Sequence, residues 1–484
     1  MDDKPRTGRS CSSQGMSIGI RPFLSNNASV GLPVEEVIEG CARVAPGPAG
    51  IIEHARIDPL AFLGRLVDQY GDVVRYHSRF APCFIFAHPA HVQAVLHSEN
   101  YRRASLVKIT LGEGLLATDG PYWRSQRKLM QRDFMPARVA PFASIISRHA
   151  EATASNWKAA ARSGKPIDVT AEMTQLTLRI IVEALFSHDM PAQRGIELCD
   201  AITQTLVDLG EISWMIFGSP MSFGPNSSAK LAASKAVIDG VCYEMIAARR
   251  AQPPHSRPRD LLTMLIEAHK DDGPLSDRQL RDEMVTMLVG GHETTALALS
   301  WAWKLLAENP AAEARLHEEL DGVPSDQSLS PTHMPSLRWT NAVFQESMRL
   351  YPPVWYMARV ANQDDVIDGY AIPRGSCVMI SAYLTHRHPE FWNAPEEFRP
   401  QRFLDELPDS RHRYAYFPFG GGRHQCLGMH LAQMEGTLIL AQLARQFRLH
   451  SQNGAQVRPL PGITLRQTPG LRASVELRKA KAIQ

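Results

Sequence analysis

The chain has no pair of cysteines spaced C-x-x-C, although it runs to 484 residues and carries Cys11, Cys41, Cys83, Cys199, Cys242, Cys377 and Cys426. Odd, scattered thiols exclude a disulfide framework and a zinc ribbon, and they fit a reducing cytoplasm. Charge of one sign is also missing: 52 basic against 50 acidic residues leave a formal net charge of +2. That speaks against bulk nucleic-acid binding while leaving room for a local basic patch. No apolar run approaches the roughly 18–20 residues that a bilayer-spanning helix needs, so no membrane anchor is expected. The polar start, with Arg6, Arg9 and Arg21, lacks the apolar core of a signal peptide, and Asp2, Asp3, Glu35 and Glu36 weaken a transit-peptide reading. There is no internal repeat and no second glycine-rich nucleotide-binding module.

What remains is a chain with 44% apolar residues, enough for a sizeable core. Residues 1–45 read as an appendage closed by Pro46-Gly47-Pro48, and 46–484 as the main unit. Most of the main unit shows helical periodicity. Helices are expected from Asp58 to Tyr70, Pro89 to Leu96, Asp119 to Phe134, over most of Val139 to Arg250, and from Trp339 to Leu350. A loop is expected at Gly218 to Pro225. Short strands are expected at Val73 to Tyr76, Phe84 to Phe86, Asp365 to Asp368 and Ser376 to Ser381, with Tyr101 to Ala117 as a loop. The longest helix candidate is Leu275 to Asn309, capped by Ser276 with Gln279 three residues on. At ~1.5 Å per residue it makes a rod of about 50 Å. Gly290-Gly291 at its middle marks a place to kink or open.

Four stretches carry chemistry. Phe419 to Gly428 reads FGGGRHQCLG, then turns helical, which places Cys426 in a glycine-rich turn at a helix start. Free N–H groups there favour a thiolate, a ligand for a soft or borderline metal such as haem iron; the alternative is a small buried hydrophobe. Gly290 to Thr295, GGHETT, puts a carboxylate and hydroxyls at an apolar helix centre, where an unpaired carboxylate is costly. A zinc-protease H-E-x-x-H fails because Ala296 stands at the second histidine position; a buried hydrogen-bond pair stays open. Trp123 and Arg127 lie four apart on one helical face, as a surface cation on an indole also would. Glu346 and Arg349 form an E-x-x-R pair, commonplace by itself, with Arg402 following in Pro400 to Phe403.

Together, and in their order along the chain, these stretches resemble the cytochrome P-450 family, over roughly residues 46–484. The resemblance implies a mainly α fold: one large helical domain with small β-sheets, haem b lying between the long central helix and the helix after Cys426. It implies that Cys426 is the axial thiolate ligand of the iron. Trp123, Arg127, His424 and Arg359 reach haem propionates, and Phe419 opens the haem loop. His424 stands where arginine is frequent, so its charge depends on pH near neutrality, and Arg423 beside it can share the role. Glu293 and Thr294 relay protons on the oxygen-binding side. Glu346, Arg349 and Arg402 form a structural network. The implied activity is a haem-thiolate monooxygenase that uses dioxygen to oxidise a small hydrophobic substrate. Electrons come from a separate ferredoxin or flavodoxin with its reductase, drawn to a basic face including Arg124, Lys128, Arg411, Arg413 and Arg423. A peroxide-driven or cyclising haem-thiolate enzyme and a non-catalytic haem sensor are the alternatives. His386 and His388 read as parts of a proline-rich meander rather than a metal site.

Overall fold

Helix α1 (Pro59–Tyr70) follows the punctuation in the sequence. Asp58 Oδ1 accepts the N–H of Ala61 at 3.0 Å, Pro59 sits where a missing N–H costs nothing, and Gly71 ends the helix at φ +89°. The computed structural model describes residues 58–77, 81–104, 107–213, 227–270, 273–323, 329–404 and 411–478. The expected 1–45 appendage and the Gly218 to Pro225 loop fall outside them. All described residues belong to one unit, Ala42–Gln484.

Strands β1 (Val73–His77) and β2 (Pro82–Phe86) precede helix α2 (Pro89–His97). The segment expected as a loop from Tyr101 instead begins with a strand, β3 (Tyr101–Arg103), and includes a helical turn at Lys108–Leu111. The helices then follow: α3 (Gly120–Met130), α4 (Ala143–Ser163), α5 (Val169–Phe186), α6 (Ala192–Ser213) and α7 (Ser227–Ala251). The long helix comes next, as α8 (Asp277–Leu288) and α9 (Thr294–Glu308) joined by one π-helical turn, Val289–Glu293. After it come α10 (Pro310–Asp321), α11 (Arg338–Leu350), β4 (Met357–Ala361), β5 (Cys377–Ile380), α12 (Met429–Ala444), and a hairpin of β6 (Arg458–Pro461) and β7 (Leu465–Thr468). The five-stranded sheet runs β1-β2-β5-β4-β3, with β2 and β5 parallel and the other neighbours antiparallel.

The expected capping box holds: Ser276 Oγ accepts from Gln279 N at 3.3 Å, and Ser276 N donates to Gln279 Oε1 at 3.0 Å. The π turn has a packing cause. A Cβ on Gly291 would stand 2.7 Å from Ile181 Cδ1, so only glycine lets the long helix lie this close to α5. Thr177 of α5 donates its hydroxyl to His292 O at 3.0 Å, supporting the widened turn. Helix α12 is buried on nearly every face, as its apolar sequence requires, and Gly436 is packed against the ring of Phe344 on α11. The core thus fills the space among α4, α5, α9, α11 and α12, with Trp157, Trp301 and Trp303 fully buried. Among the described residues no helix is long and apolar enough to cross a membrane.

Candidate active site

The glycine run before Cys426 is dictated by contact. Gly422 has φ +60°, and a Cβ there would strike Leu96 O; a Cβ on Gly421 would strike the Tyr414 ring. Cys426 N donates to Phe419 O at 2.9 Å, closing the loop, and Phe419 itself packs partly buried on the core. Cys426 lies three residues before α12. Its thiol is solvent-accessible, yet surrounded by enough protein that desolvation raises its pKa; the N–H of Gly428 and the charge of Arg127 pull the other way. The helix-start effect expected from sequence is therefore present but smaller than burial.

Cations gather beside this loop. Arg127 Nη1 donates to Gln425 O at 2.7 Å, fixing α3 to the Cys loop. Arg359 on β4 is buried and donates to Ala358 O at 3.0 Å. Arg103, paired with it across β3 and β4, donates to Leu115 O at 2.6 Å and stacks 5.8 Å from the Trp123 ring. Burial lowers the pKa of Arg103 to about 9 and of Arg359 to about 10, with the neighbouring guanidiniums adding to both. Trp123 is buried, and its indole N–H has no hydrogen-bond partner among the described residues.

His424 makes contacts that its place in the sequence does not signal. Its Nε2 lies 3.1 Å from Asp119 Oδ1 and its ring stands edge-on to Trp123 at 4.4 Å. Burial lowers its pKa to about 4 in spite of the Asp119 carboxylate. Burial and the guanidiniums of Arg103 and Arg359 thus disfavour its charged form, while Asp119 favours it. Asp119, just before α3, is a hub. Burial pushes its carboxyl up, but hydrogen bonds from His424, Gly120 N and Arg103 N together hold it well below the usual carboxylate range. Arg423 reaches Asp119 at 3.8 Å. Arg103 was missed from the sequence; the Arg102-Arg103 doublet is a signal only once β3 is known to pair with β4.

These groups fit a flat, dianionic, metal-bearing cofactor. Four guanidiniums (Arg103, Arg127, Arg359, Arg423) converge with one carboxylate, Asp119, among them. One buried cation, Arg359, and three half-buried ones call for anionic partners, which two propionates supply. Among the described residues no three His, Cys, Asp or Glu side chains are grouped to hold a metal ion. A single accessible thiol would suit a metal whose remaining ligands come mostly with its own macrocycle.

On the long helix, Gly290 is exposed, and a Cβ there would meet nothing within 4 Å. Thr294, partly exposed, donates its hydroxyl to Gly290 O at 2.8 Å. Glu293 turns to another wall: it is buried, and its Oε1 accepts from Thr464 Oγ1 at 2.7 Å. His292 is fully buried, with Nδ1 2.7 Å from Leu288 O.

Behind the Cys loop, Arg349 and Glu346 are both fully buried and doubly bonded, at 2.7 and 2.9 Å. Arg349 also donates to the carbonyls of His386, Pro395 and Glu397, and Arg402 reaches Glu346 at 3.3 Å. His386 Nε2 accepts the N–H of Phe417 at 2.9 Å, tying this network to the start of the Cys loop. His388 pairs instead with Asp72 at 3.0 Å, so the two histidines serve separate structural roles.

A family model described as Cytochrome P-450 matches residues 53–472. Cyclooctatin synthase from Streptomyces melanosporofaciens is 35% identical over 88% of this chain and 94% of its own length. Cyclooctat-9-en-7-ol 5-monooxygenase from the same organism is 30% identical over 87% of this chain and 90% of its own. A Mycobacterium tuberculosis protein named as a cytochrome P-450 is 32% identical over 85% and 91%.

Proposed function

The chain belongs to the cytochrome P-450 family and is a monooxygenase with haem b as its cofactor, and from that we propose how its residues divide the work, with the haem domain spanning 46–484. Cys426 ligates the iron. Trp123, Arg127 and Arg359, with Arg103, hold the two propionates, while His424 and Asp119 keep that set in register and Phe419 shapes the loop. When bound, haem supplies the activation of dioxygen with two external electrons, so that one oxygen atom enters the substrate. Glu293 and Thr294 bring protons, the carboxyl carrying one on Oε2 and the hydroxyl passing one on from Oγ1. Gly290 leaves room beside Thr294 for a ring-bearing apolar substrate.

Support for the substrate class comes from the second Streptomyces relative, named for the oxidation of cyclooctat-9-en-7-ol, a cyclic alcohol. A ferredoxin or flavodoxin with its reductase supplies the electrons. The observation that carries this reading is the accessible Cys426 thiol with the buried Arg359 and the half-buried Arg103, Arg127 and Arg423 beside it. Titrating the haem-loaded protein with a panel of cyclic terpenoid alcohols, fatty acids and aromatic scaffolds tests the substrate class. A spin-state shift with the cyclic alcohols at the lowest concentration is expected; preference for linear fatty acids contradicts it.

A further inference from the structure

Glu293 is not held by its own helix. The turn of hairpin β6–β7 delivers Thr464 and the first part of β7 delivers Arg466, and both close on the carboxylate. Thr464 Oγ1 donates to Oε1 at 2.7 Å, and Arg466 Nε lies 3.6 Å from the same oxygen. Oε2 is buried with no hydrogen-bond partner among the described residues. The guanidinium of Arg466 has a second grip. Nη1 donates to Thr203 O at 3.1 Å and Nη2 donates to Thr203 Oγ1 at 3.0 Å, on helix α6. The contact between α6 and the hairpin is close: a Cβ on Gly210 would stand 3.0 Å from Gly462 Cα. The hairpin is itself anchored, since Trp301 Nε1 donates to Leu465 O at 3.1 Å and Trp355 Nε1 donates to Gly462 O at 2.8 Å.

We propose that Arg466 is a positioning residue for proton delivery, holding the Glu293 carboxylate from the hairpin and making that hold depend on α6 lying against it through Thr203. This rests on the assignment of Glu293 to the proton relay. A single guanidinium can serve both partners because its fork presents Nε to one side and Nη1 and Nη2 to another. Electrostatics agree with the geometry. Burial raises the pKa of Glu293, while Arg466 and the Thr464 hydroxyl oppose the rise. Burial also disfavours charge on two neighbours: it lowers His292 in the same turn to about 4 and raises Cys199 of α6 to about 12. Arg466 is therefore the charge that works against burial in favour of the ionised carboxylate. If α6 moves away from the hairpin, Arg466 loses its anchor and the carboxyl takes the proton more readily.

The test compares Arg466→Ala, Arg466→Gln, Arg466→Lys and Glu293→Gln in the haem-loaded full chain. The readouts are the infrared carbonyl band of protonated Glu293 followed against pH, identified by its loss in Glu293→Gln, and peroxide released per electron pair. With Arg466→Ala and Arg466→Gln, the band should persist to a pH about one unit higher, a tenfold gain in proton affinity. Peroxide release should rise several-fold, and Arg466→Lys should restore most of the band position. Should Arg466→Ala fail to hold haem, Arg466→Gln gives the same reading without emptying the site. An unmoved band in both charge-removing variants, while Glu293→Gln uncouples turnover, overturns the inference and leaves the relay standing. Full coupling in Glu293→Gln instead removes the relay on which it rests.

Discussion

Thr294 and Glu293 are adjacent, yet their side chains serve different walls: the hydroxyl bonds back to Gly290 O, and the carboxylate is taken by Thr464 and Arg466. A hydroxyl on the accessible wall is the group placed to hand a proton onward. Thr294→Ala should keep haem and the ferrous–CO spectrum but release several-fold more peroxide per electron pair, measured against product formed; unchanged coupling would remove Thr294 from the relay. Residues whose placement follows from a local motif were legible in the sequence. Cys426, Trp123, Arg127 and the Glu346–Arg349 pair each stand beside their partner in the chain or in a dense pattern. Arg103, Thr464 and Arg466 were not legible, because nothing near them in sequence signals their partners. Arg103 meets Arg359 across 256 positions only through the β3–β4 register, and Arg466 meets Glu293 only when a hairpin packs on the long helix. His424 was legible in place; the burial that disfavours its charged form depends on the whole of the surrounding packing.

At the scale of elements, the long helix shows how two neighbouring glycines divide into different jobs. Gly291 is required by packing against Ile181, whereas Gly290 faces open space. Gly290→Ala should raise stability by up to about 1 kcal/mol through helix propensity, while narrowing the cleft and weakening binding of bulky substrates. Gly291→Ala should lower stability, and Ile181→Val should recover part of the loss by removing the methyl that the new Cβ meets. Urea unfolding of the three variants measures this; equal effects of the two alanines would contradict the assignment. The Ser276 cap and the long periodic helices could be read directly, because a cap acts within a turn of itself and the period repeats along the helix. Strand β3 could not: three residues carry no period, and their extended form comes from pairing with β4.

On the scale of the whole molecule, two properties follow from charge. His317 on α10 is buried, and burial with the nearby Arg478 and Arg448 lowers its pKa to about 4 from an ordinary 6.5. Between those values the unfolded chain binds a proton that the folded chain refuses, so this residue's contribution falls as pH drops below 6.5. His317→Gln should therefore shrink the difference in unfolding free energy between pH 7 and pH 5 by roughly 2 kcal/mol, read from urea curves; an unchanged difference contradicts the assignment. The second property is the exposed cations Arg124, Lys128, Arg132 and Arg413. A small acidic electron carrier would be steered to them, so Arg124→Glu with Lys128→Glu should slow reduction about tenfold at low ionic strength, with the gap closing at high salt. Stopped-flow reduction at two salt concentrations measures it, and equal rates at low salt would exclude that face.

All of these roles depend on Cys426 being the protein's ligand to haem iron. The most direct measurement is the ferrous–CO absorption spectrum of the haem-loaded chain beside that of Cys426→His. The thiolate-shifted band is expected in the first and should be absent from the second, with haem still bound; the same shifted band in both would place the ligand on another residue.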